Sequence, residues 1–217
     1  MNLNVLHVIA TPRFEESAAL QQLAQRFMGP LVARCAEKSV ELVPENVSLY
    51  ESKPPFVSNE FLGGAWRPAL EPGYTPTRNE ETALNFSRNN APLLAKADIV
   101  VLTTPIWLGS CPAILKAWLD QVMVPGDLFE VTAEGIVPKH HIREAVLLVS
   151  SREVYKEGDP RDGLTPMLRA AFLTIGVENV RIAWADGQDD ARADREDRLE
   201  LAGEAAEEIA EEIVDEL

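Results

Sequence analysis

Residues 97–120 read ADIVVLTTPIWLGSCPAILKAWLD, and this stretch decides the fold of the chain. Its apolar, β-branched run predicts a buried strand, and Pro112 opens a helix with one apolar face. Between them lies a loop over residues 105–110, at the carboxyl end of the strand. Because α/β sheets bind ligands outside the carboxyl ends of their strands, we expect a binding site at this loop.

The same alternation of strand and helix extends in both directions along the chain. Pro44 is expected to end the second strand, and residues 126–137 to form a short hairpin. Short apolar strands joined by amphipathic helices require a parallel sheet covered on both faces. The predicted fold class is therefore α/β, a doubly wound five-stranded parallel sheet in three α/β/α layers. Strands are predicted at residues 5–9, 39–43, 98–104, 144–151 and 179–185, and helices at 15–37, 78–96, 112–123, 165–175 and 189–217.

The length of 217 residues and the hydrophobic content of 46% are enough for one substantial core, so we expect a single domain over residues 1–217. Residues 50–77 interrupt the pattern with five prolines, three glycines and several aromatic side chains. This composition is too irregular for a regular element and too aromatic for a plain linker. We expect a long ordered loop that covers a site or packs on a neighbouring subunit, with ordinary surface packing as the alternative.

The formal charge of −15 argues against nucleic acid and anionic membranes as partners. Residues 189–217 hold 13 acidic and 3 basic residues, a net charge of −10, and their apolar residues recur at helical spacing. An acidic C-terminal helix with one solvated face is the interpretation we favour. A tail that recruits a basic partner is the alternative.

The chain carries no apolar run of membrane-spanning length and no secretory signal pattern at its start, so a cytoplasmic protein is expected. Cys35 and Cys111 are far apart and lack metal-ligand spacing, which predicts free thiols and no metal site.

Three loops are predicted to meet at the carboxyl edge of the sheet: residues 11–17, 105–110 and 151–159. In the first loop, Thr11, Arg13 and Ser17 offer two hydroxyls and a guanidinium beside the start of a helix, a pattern that suits phosphate. The alternative is that Thr11 and Ser17 only cap that helix. No GxxxxGK[ST] or GxGxxG motif is present, which disfavours nucleotide hydrolases and dinucleotide-fingerprint dehydrogenases.

The second loop combines backbone amides with one large ring, Trp107, and so suits a flat conjugated heterocycle. The alternative is that Trp107 packs in the core. In the third loop, Ser151, Arg152, Glu153 and Tyr155 can border the same ligand, although Arg152 and Glu153 can instead form a surface ion pair.

A nucleophilic triad is not predicted. His7 falls in the buried first strand, where a hydrogen-bonded core histidine is expected, and His140 and His141 fall in a polar turn and are expected to face solvent. Cys111 is expected to be an ordinary buried thiol. No side chain is therefore assigned a catalytic role.

With these loops placed, the chain resembles the FMN-dependent NADH-azoreductases, a group of flavodoxin-like NAD(P)H:quinone reductases. The resemblance is strongest over residues 97–187, and the first loop is similar to the family's Ser-Pro-Arg-Gly-x-x-Ser phosphate loop. The residues that carry it are Ala97-Asp98-Ile99-Val100, Pro105, residues 112–120 (PAILKAWLD), Gly126, Phe129, Ser151-Arg152, Thr165-Pro166, Ile175-Gly176-Val177, Ala185-Asp186-Gly187 and, at the amino end, Thr11-Pro12-Arg13 with Glu16-Ser17.

The resemblance implies a flavodoxin-like fold, bound FMN, and electron transfer from NADH or NADPH to quinone, azo or nitroaromatic acceptors. It also implies a homodimer with each flavin near the subunit boundary and no covalent protein intermediate. Thr11, Arg13 and Ser17 would hold the phosphate. The ring would lie against Pro105, Ile106, Trp107, Leu108 and Gly109, with Ser151, Arg152, Glu153 and Val154 on its pyrimidine side.

Three departures from the family pattern fall on this flavin site. Leu108 stands where the family has its ring-contacting Asn, Ala19 removes one hydroxyl from the phosphate loop, and Glu153-Val154 replaces a Gly-Gly pair. A negative Glu153 beside the flavin would oppose its anionic reduced form. The alternative function is therefore a flavodoxin-fold protein with a degenerate flavin site that serves as a binding or scaffolding module or hosts another activity.

Overall fold

The computed structural model describes residues 1–13, 15, 18–156 and 158–217, and it is built on a parallel sheet of five strands in the order β2-β1-β3-β6-β7. A separate antiparallel hairpin, β4-β5, lies at the predicted position after the fifth helix. The strands are β1 Asn2–Ile9, β2 Glu41–Ser48, β3 Ile99–Pro105, β4 Phe129–Thr132, β5 Gly135–Pro138, β6 Glu144–Ser150 and β7 Asn179–Ala185.

Helices cover both faces of the sheet, which confirms the predicted α/β class and its three layers. Helices α1 and α7 pack on one face, and α4, α5 and α6 pack on the other. The helices are α1 Ala19–Glu37, α2 Asn59–Leu70, α3 Arg78–Ala83, α4 Asn85–Lys96, α5 Ala113–Val122, α6 Thr165–Thr174 and α7 Arg195–Asp215.

The central strand β3 is buried at every position. Leu102 belongs to the core under α4, α5 and α6, whereas its neighbour Val101 belongs to the core under α1 and α7. Successive side chains of a strand point to opposite faces, so a strand covered on both faces needs a continuous apolar run. This explains why the sequence of β3 lacks an apolar and polar alternation.

Ion pairs hold α7 parallel to α1. The Arg26 guanidinium lies 2.7 Å from Glu200 and 2.6 Å from Glu207, and Arg34 further along α1 lies 2.7 Å from Asp215. Part of the acidic face of α7 therefore pairs with α1 instead of facing water. Since the two helices run in the same direction, both begin at the carboxyl edge of the sheet.

The expectation that Pro44 ends the second strand is wrong. Strand β2 runs from Glu41 to Ser48, and Pro44 lies opposite Val5 in the β1-β2 register. Because β2 is an edge strand, a residue without an N–H can sit there when that side of the strand is not paired.

The expectation of an irregular segment over residues 50–77 is wrong for Asn59–Leu70, which form α2. The Ser58 side chain caps this helix by accepting a hydrogen bond from Phe61 N–H. Its two glycines lie where α2 meets α3, and a Cβ on Gly63 would overlap the Glu80 carboxylate.

Two predicted helices have different bounds in the structure. The helix predicted over 78–96 is two helices, α3 and α4, and α1 begins at Ala19 and not at residue 15.

Within the described residues, no helix combines the length and the apolar character that crossing a membrane requires. Cys35 and Cys111 are both free thiols, as predicted.

His7 is a buried core residue, as expected, and its Nε2 lies 2.7 Å from the Thr103 hydroxyl. Burial lowers the pKa of His7 from 6.5 to about 4, because the charged imidazolium loses its hydration. The unfolded chain therefore binds a proton at this histidine below about pH 6.5, while the folded chain binds it only near pH 4.

We expect His7 to contribute about 3 kcal/mol of destabilisation as the pH falls from neutral to pH 4, and His7→Gln to remove that part of the pH dependence. The check is urea unfolding of both proteins at each pH. His141→Gln, a change at an exposed histidine, should keep the wild-type pH dependence. An unchanged difference between wild type and His7→Gln at the two pH values would contradict the prediction.

Candidate functional site

A cavity of about 700 Å³ opens at the carboxyl edge of the sheet, between the loops that follow β1 and β3. The chain passes from β1 to β2 on one side and returns to β3 on the other, so strand order reverses here. This is the place where doubly wound sheets bind ligands. The cavity is lined by Thr11, Pro12, Arg13, Glu15, Ala18, Ala19, Leu20, Pro105, Trp107, Ser150, Gln188 and Arg195.

The start of α1 forms one end of the cavity. Its N-cap residue, Ala18, provides no side-chain hydrogen bond, and its first turn carries no acidic residue. The first N–H groups of a helix have no partner within the helix and carry the positive end of its dipole. This end of the cavity therefore suits an anion.

Thr11 does not cap α1. Its hydroxyl accepts a hydrogen bond from Arg13 N–H at 3.2 Å, which shapes the loop before the helix and contradicts the capping alternative for Thr11. Ser17, the other predicted hydroxyl of this loop, lies outside the described residues. Ala19, where the family pattern has a hydroxyl, lines the cavity with its methyl group.

Two arginines line the same cavity, Arg13 before α1 and Arg195 at the start of α7. Neither forms an ion pair within the part of the chain that the structure describes, whereas Arg192 and Arg198 nearby are paired with Asp190 and Asp186. Among the described residues of the lining, Glu15 carries the one carboxylate, so the formal charge of these residues is positive.

The loop after β3 is a tight turn that presents Trp107 to the cavity. Trp107 and Ser110 exchange backbone hydrogen bonds of 2.8 and 3.0 Å, and Leu108 and Gly109 adopt left-handed φ angles of 50° and 75°. Trp107 is 46% exposed, so the alternative that it packs in the core is wrong. Pro105 also lines the cavity, but the Ile106 side chain is buried in the core.

The turn leaves two backbone donors available. Among the described residues, nothing accepts a hydrogen bond from the N–H groups of Leu108 and Gly109. The Leu108 side chain is fully exposed at the tip of the turn. A flat ligand with polar edges could therefore receive main-chain hydrogen bonds here while lying against the indole.

The loop after β6 is held in place by the loop after β7. Gly187 N–H donates to the Glu153 carbonyl, and Gln188 N–H donates to the Ser151 carbonyl, each at 3.0 Å. The Ser151 hydroxyl donates to the Glu153 carbonyl and accepts from the Trp184 indole at 2.9 Å. Ser151, Arg152, Glu153 and Val154 thus lie beside the cavity but not in its lining, which takes Ser150 and Gln188 from these two segments.

Arg161 ties the loops of the site together. Its guanidinium donates to the Glu153 carboxylate at 2.5 Å and to the Val154 carbonyl at 2.9 Å. Its carbonyl lies 2.7 Å from where a Cβ on Gly109 would be, so the third loop packs against the second with no room for a side chain there. Hydrogen bonds from Arg161 also hold the pKa of the Asp159 carboxyl well below its usual range.

The Glu153 carboxylate is therefore paired with Arg161, and Arg152 pairs with Asp189 at 3.3 Å. The alternative prediction, an ion pair between Arg152 and Glu153, is therefore wrong. Because Arg161 is shared between Glu153 and Asp159, its charge offsets the Glu153 charge only in part, and the repulsion expected between Glu153 and an anionic ligand is reduced but not removed. Tyr155 faces away from the cavity lining and stacks on Trp184 with ring centroids 5.0 Å apart.

The histidines and Cys111 form no nucleophilic arrangement. The expectation that His140 faces solvent is wrong: its ring is half-buried, with Nδ1 accepting from Ile142 N–H and Nε2 lying 2.8 Å from the Ile175 carbonyl. His141 is exposed, as predicted. Cys111 is half-buried, and burial raises the pKa of its thiol, so the inert thiol is favoured.

Gln188 and Arg195 are polar cavity residues from outside the three predicted loops. Both follow β7, the strand farthest from the point between β1 and β3 where strand order reverses, and they reach the cavity because α7 begins beside α1. The available signal was an arginine at the first position of an otherwise acidic helix.

The chain is similar to known proteins in both sequence and fold. The family model described as flavodoxin-like fold matches residues 3–210. An FMN-dependent NADH:quinone oxidoreductase from Azotobacter vinelandii is 29% identical over 180 residues, covering 83% of this chain and 86% of that protein. An FMN-dependent NAD(P)H:quinone oxidoreductase from Pseudomonas aeruginosa is 28% identical over 211 residues, covering 91% and 93%.

A solved structure of an FMN-dependent NADH-azoreductase from Bacillus anthracis, in complex with FMN, superposes with a TM-score of 0.82 at 21% identity, covering 98% of this chain and 99% of that one. At this identity the likeness shows the fold. The relatives confirm the resemblance to FMN-dependent azoreductases and NAD(P)H:quinone oxidoreductases. Since the family model spans nearly the whole chain, the protein belongs to the flavodoxin-like family.

Proposed function

We propose that this protein is an FMN-dependent oxidoreductase that takes electrons from NADH or NADPH and passes them to a quinone, azo or nitroaromatic acceptor. The observation that carries the proposal is the cavity of about 700 Å³, lined by the start of α1, by two arginines that have no ion-pair partner among the described residues, and by a half-exposed indole. The names of the relatives from A. vinelandii and P. aeruginosa support the same activity.

The residues present fit FMN. The volume lies in the range of small-molecule sites, roughly 300 to 1,000 Å³. Arg13 and the first amides of α1 would hold the phosphate, as helix starts do for anions. Trp107 would supply an apolar surface for the ring, and the free N–H groups of Leu108 and Gly109 would donate to its polar edge.

Bound FMN supplies the acceptance of a hydride from the nicotinamide donor and the delivery of electrons to the acceptor. The protein's part is to bind and orient. Main-chain donors of the 105–110 turn select a heterocycle with acceptor atoms at its edge. Arg161 holds the loops after β3 and β6 together and pairs with both Glu153 and Asp159, so its single positive charge offsets part of the negative charge of these two carboxylates.

We further propose a homodimer, supported by an apolar groove of about 550 Å³ along α2, α5 and α6. Val57 and Leu62 line it and are 37% and 47% exposed, and Trp66 and Met123 continue it. Exposed apolar surface of this kind marks protein contacts.

We also propose a cytoplasmic location, which the two free thiols support.

Purified protein is expected to be yellow, or to bind FMN stoichiometrically when colourless, and then to oxidise NADH or NADPH with a quinone acceptor. The checks are the visible spectrum, a titration followed by flavin fluorescence, and steady-state quinone reduction. A protein that neither carries FMN nor oxidises NAD(P)H with any quinone in the presence of added FMN would remove the proposal.

Leu108→Asn is expected to stabilise the protein without flavin by about 0.5 to 1 kcal/mol, because Asn tolerates the left-handed conformation better than Leu. Thermal unfolding measures the change. Leu173→Asn is the control, since Leu173 is also exposed, at 59% against 108% for Leu108, but lies in a regular helix, where Asn lowers stability.

The same variant combined with Glu153→Gly separates the two functions. If the flavin site is intact, the double variant changes FMN affinity by less than about threefold, since the Glu153 carboxylate is held by Arg161 and lies outside the cavity lining. A gain of more than about a hundredfold, or 2.7 kcal/mol, would favour the alternative of a site that has drifted away from the cofactor.

Leu62→Glu is expected to weaken the proposed dimer, because it places a charge in the centre of an apolar contact. Sedimentation over a range of concentrations should show a dimer for the wild type and a shift to monomer for the variant. Leu201→Glu, at an exposed position on α7, should leave the mass unchanged. A wild type that is monomeric throughout would refute the dimer and leave the flavin proposal standing.

A further inference from the structure

Arg195 occupies an unusual place for a basic residue. It is the first residue of α7, next to the positive end of the helix dipole, where a cation is unfavourable. The two residues that follow it, Glu196 and Asp197, are the acids that a helix start favours. The position of Arg195 is therefore better explained by something outside the helix than by helix stability.

The packing of α7 directs Arg195 to the cavity. Pairing of Arg26 with Glu200 and Glu207 keeps the starts of α1 and α7 side by side. Gln188 also lines the cavity. The Arg195 Nε–H donates to the Gln188 side-chain oxygen at 3.4 Å, and the Gln188 side-chain amide donates to the Asp186 carbonyl at 3.2 Å. Arg195 thus lines the same cavity as Arg13, from the opposite part of the chain.

Arg195 also keeps its charge uncommitted in an acid-rich neighbourhood. The flanking Arg192 and Arg198 pair with Asp190 and Asp186, and Arg152 pairs with Asp189. In the described part of the chain, Arg195 has no carboxylate within ion-pair distance. Such a guanidinium at a cavity wall is available to an anionic ligand.

We propose that Arg195 is a ligand of a phosphate monoester bound in this cavity, and that the monoester is the phosphate of FMN. This inference rests on the proposed function. The two arginines and a helix start would together balance a dianion against Glu15, the one acidic residue among the described residues of the lining. Arg195 would take over the contribution of the hydroxyl that Ala19 lacks.

The assignment favours the flavin phosphate because Arg195 shares its cavity with Arg13 and the uncapped start of α1. The 2′-phosphate of NADPH has the same chemistry and is the competing source. The two sources differ in a measurable way: a contact to the flavin phosphate changes the affinity for FMN but not for riboflavin, and a contact to the 2′-phosphate changes the response to NADPH but not to NADH.

The experiment compares FMN and riboflavin binding to flavin-free wild type, Arg195→Gln and Arg195→Lys by fluorescence titration at two salt concentrations. We expect Arg195→Gln to weaken FMN binding about tenfold, to change riboflavin binding less than twofold, and to reduce the salt dependence of FMN binding. Arg195→Lys should recover part of the loss. Arg192→Gln, which removes the same charge from an 89% exposed side chain outside the cavity, should bind both flavins like the wild type.

Equal FMN affinity of wild type and Arg195→Gln would overturn the inference while the proposed function stands. An equal loss for FMN and riboflavin would overturn it too, as the mark of a structural role, which thermal unfolding of the variant would show. Unchanged FMN binding with a raised KM for NADPH alone would move the contact to the 2′-phosphate and overturn the flavin assignment. A wild type that binds neither flavin would overturn both the inference and the proposed function.

Discussion

The burial of β3 on both faces is the constraint on which the rest of the molecule depends. A parallel strand with no solvent-facing side needs helices above and below it, and right-handed crossovers then bring every strand of the sheet to the same edge at its carboxyl end. The loops after β1, β3, β6 and β7 meet there for that reason. The cavity is thus a consequence of the core and needs no dedicated element to form it.

Those loops are joined chiefly by backbone contacts and by one guanidinium. Arg161 reaches the loop after β6 through its side chain and the loop after β3 through its carbonyl, and the Gly163 N–H donates to the Gly109 carbonyl at 2.6 Å. Main-chain contacts of this kind persist when the side chains of nearby loop residues are substituted. The flavin loops can therefore differ from the family pattern at Leu108 and Glu153 while the turn keeps its shape.

The sequence predicted the elements whose pattern is local. The run in β3 and the apolar face of α5 identified the fold and the turn between them, and Trp107 lies in the cavity as expected. The end of β2 was predicted wrongly at Pro44, because a strand tolerates proline when it lies at the edge of the sheet, and strand order is not visible in the local sequence. The helix α2 was missed because Gly63 and Gly64 suggest a loop, although the cap at Ser58 was visible. Arg195 could not be predicted because helix packing decides which first turn reaches the cavity.

The parallel pairing of α1 and α7 also orders events during synthesis. Strand β1 and helix α1, which form one wall of the cavity, come first in the chain, and α7 follows every other element. The core that α1 shares with α7 stays open until α7 has been made, so its apolar surface is exposed on the nascent chain. A complete cavity therefore reports that the last helix has docked, which couples the capacity to bind a ligand to the completion of folding.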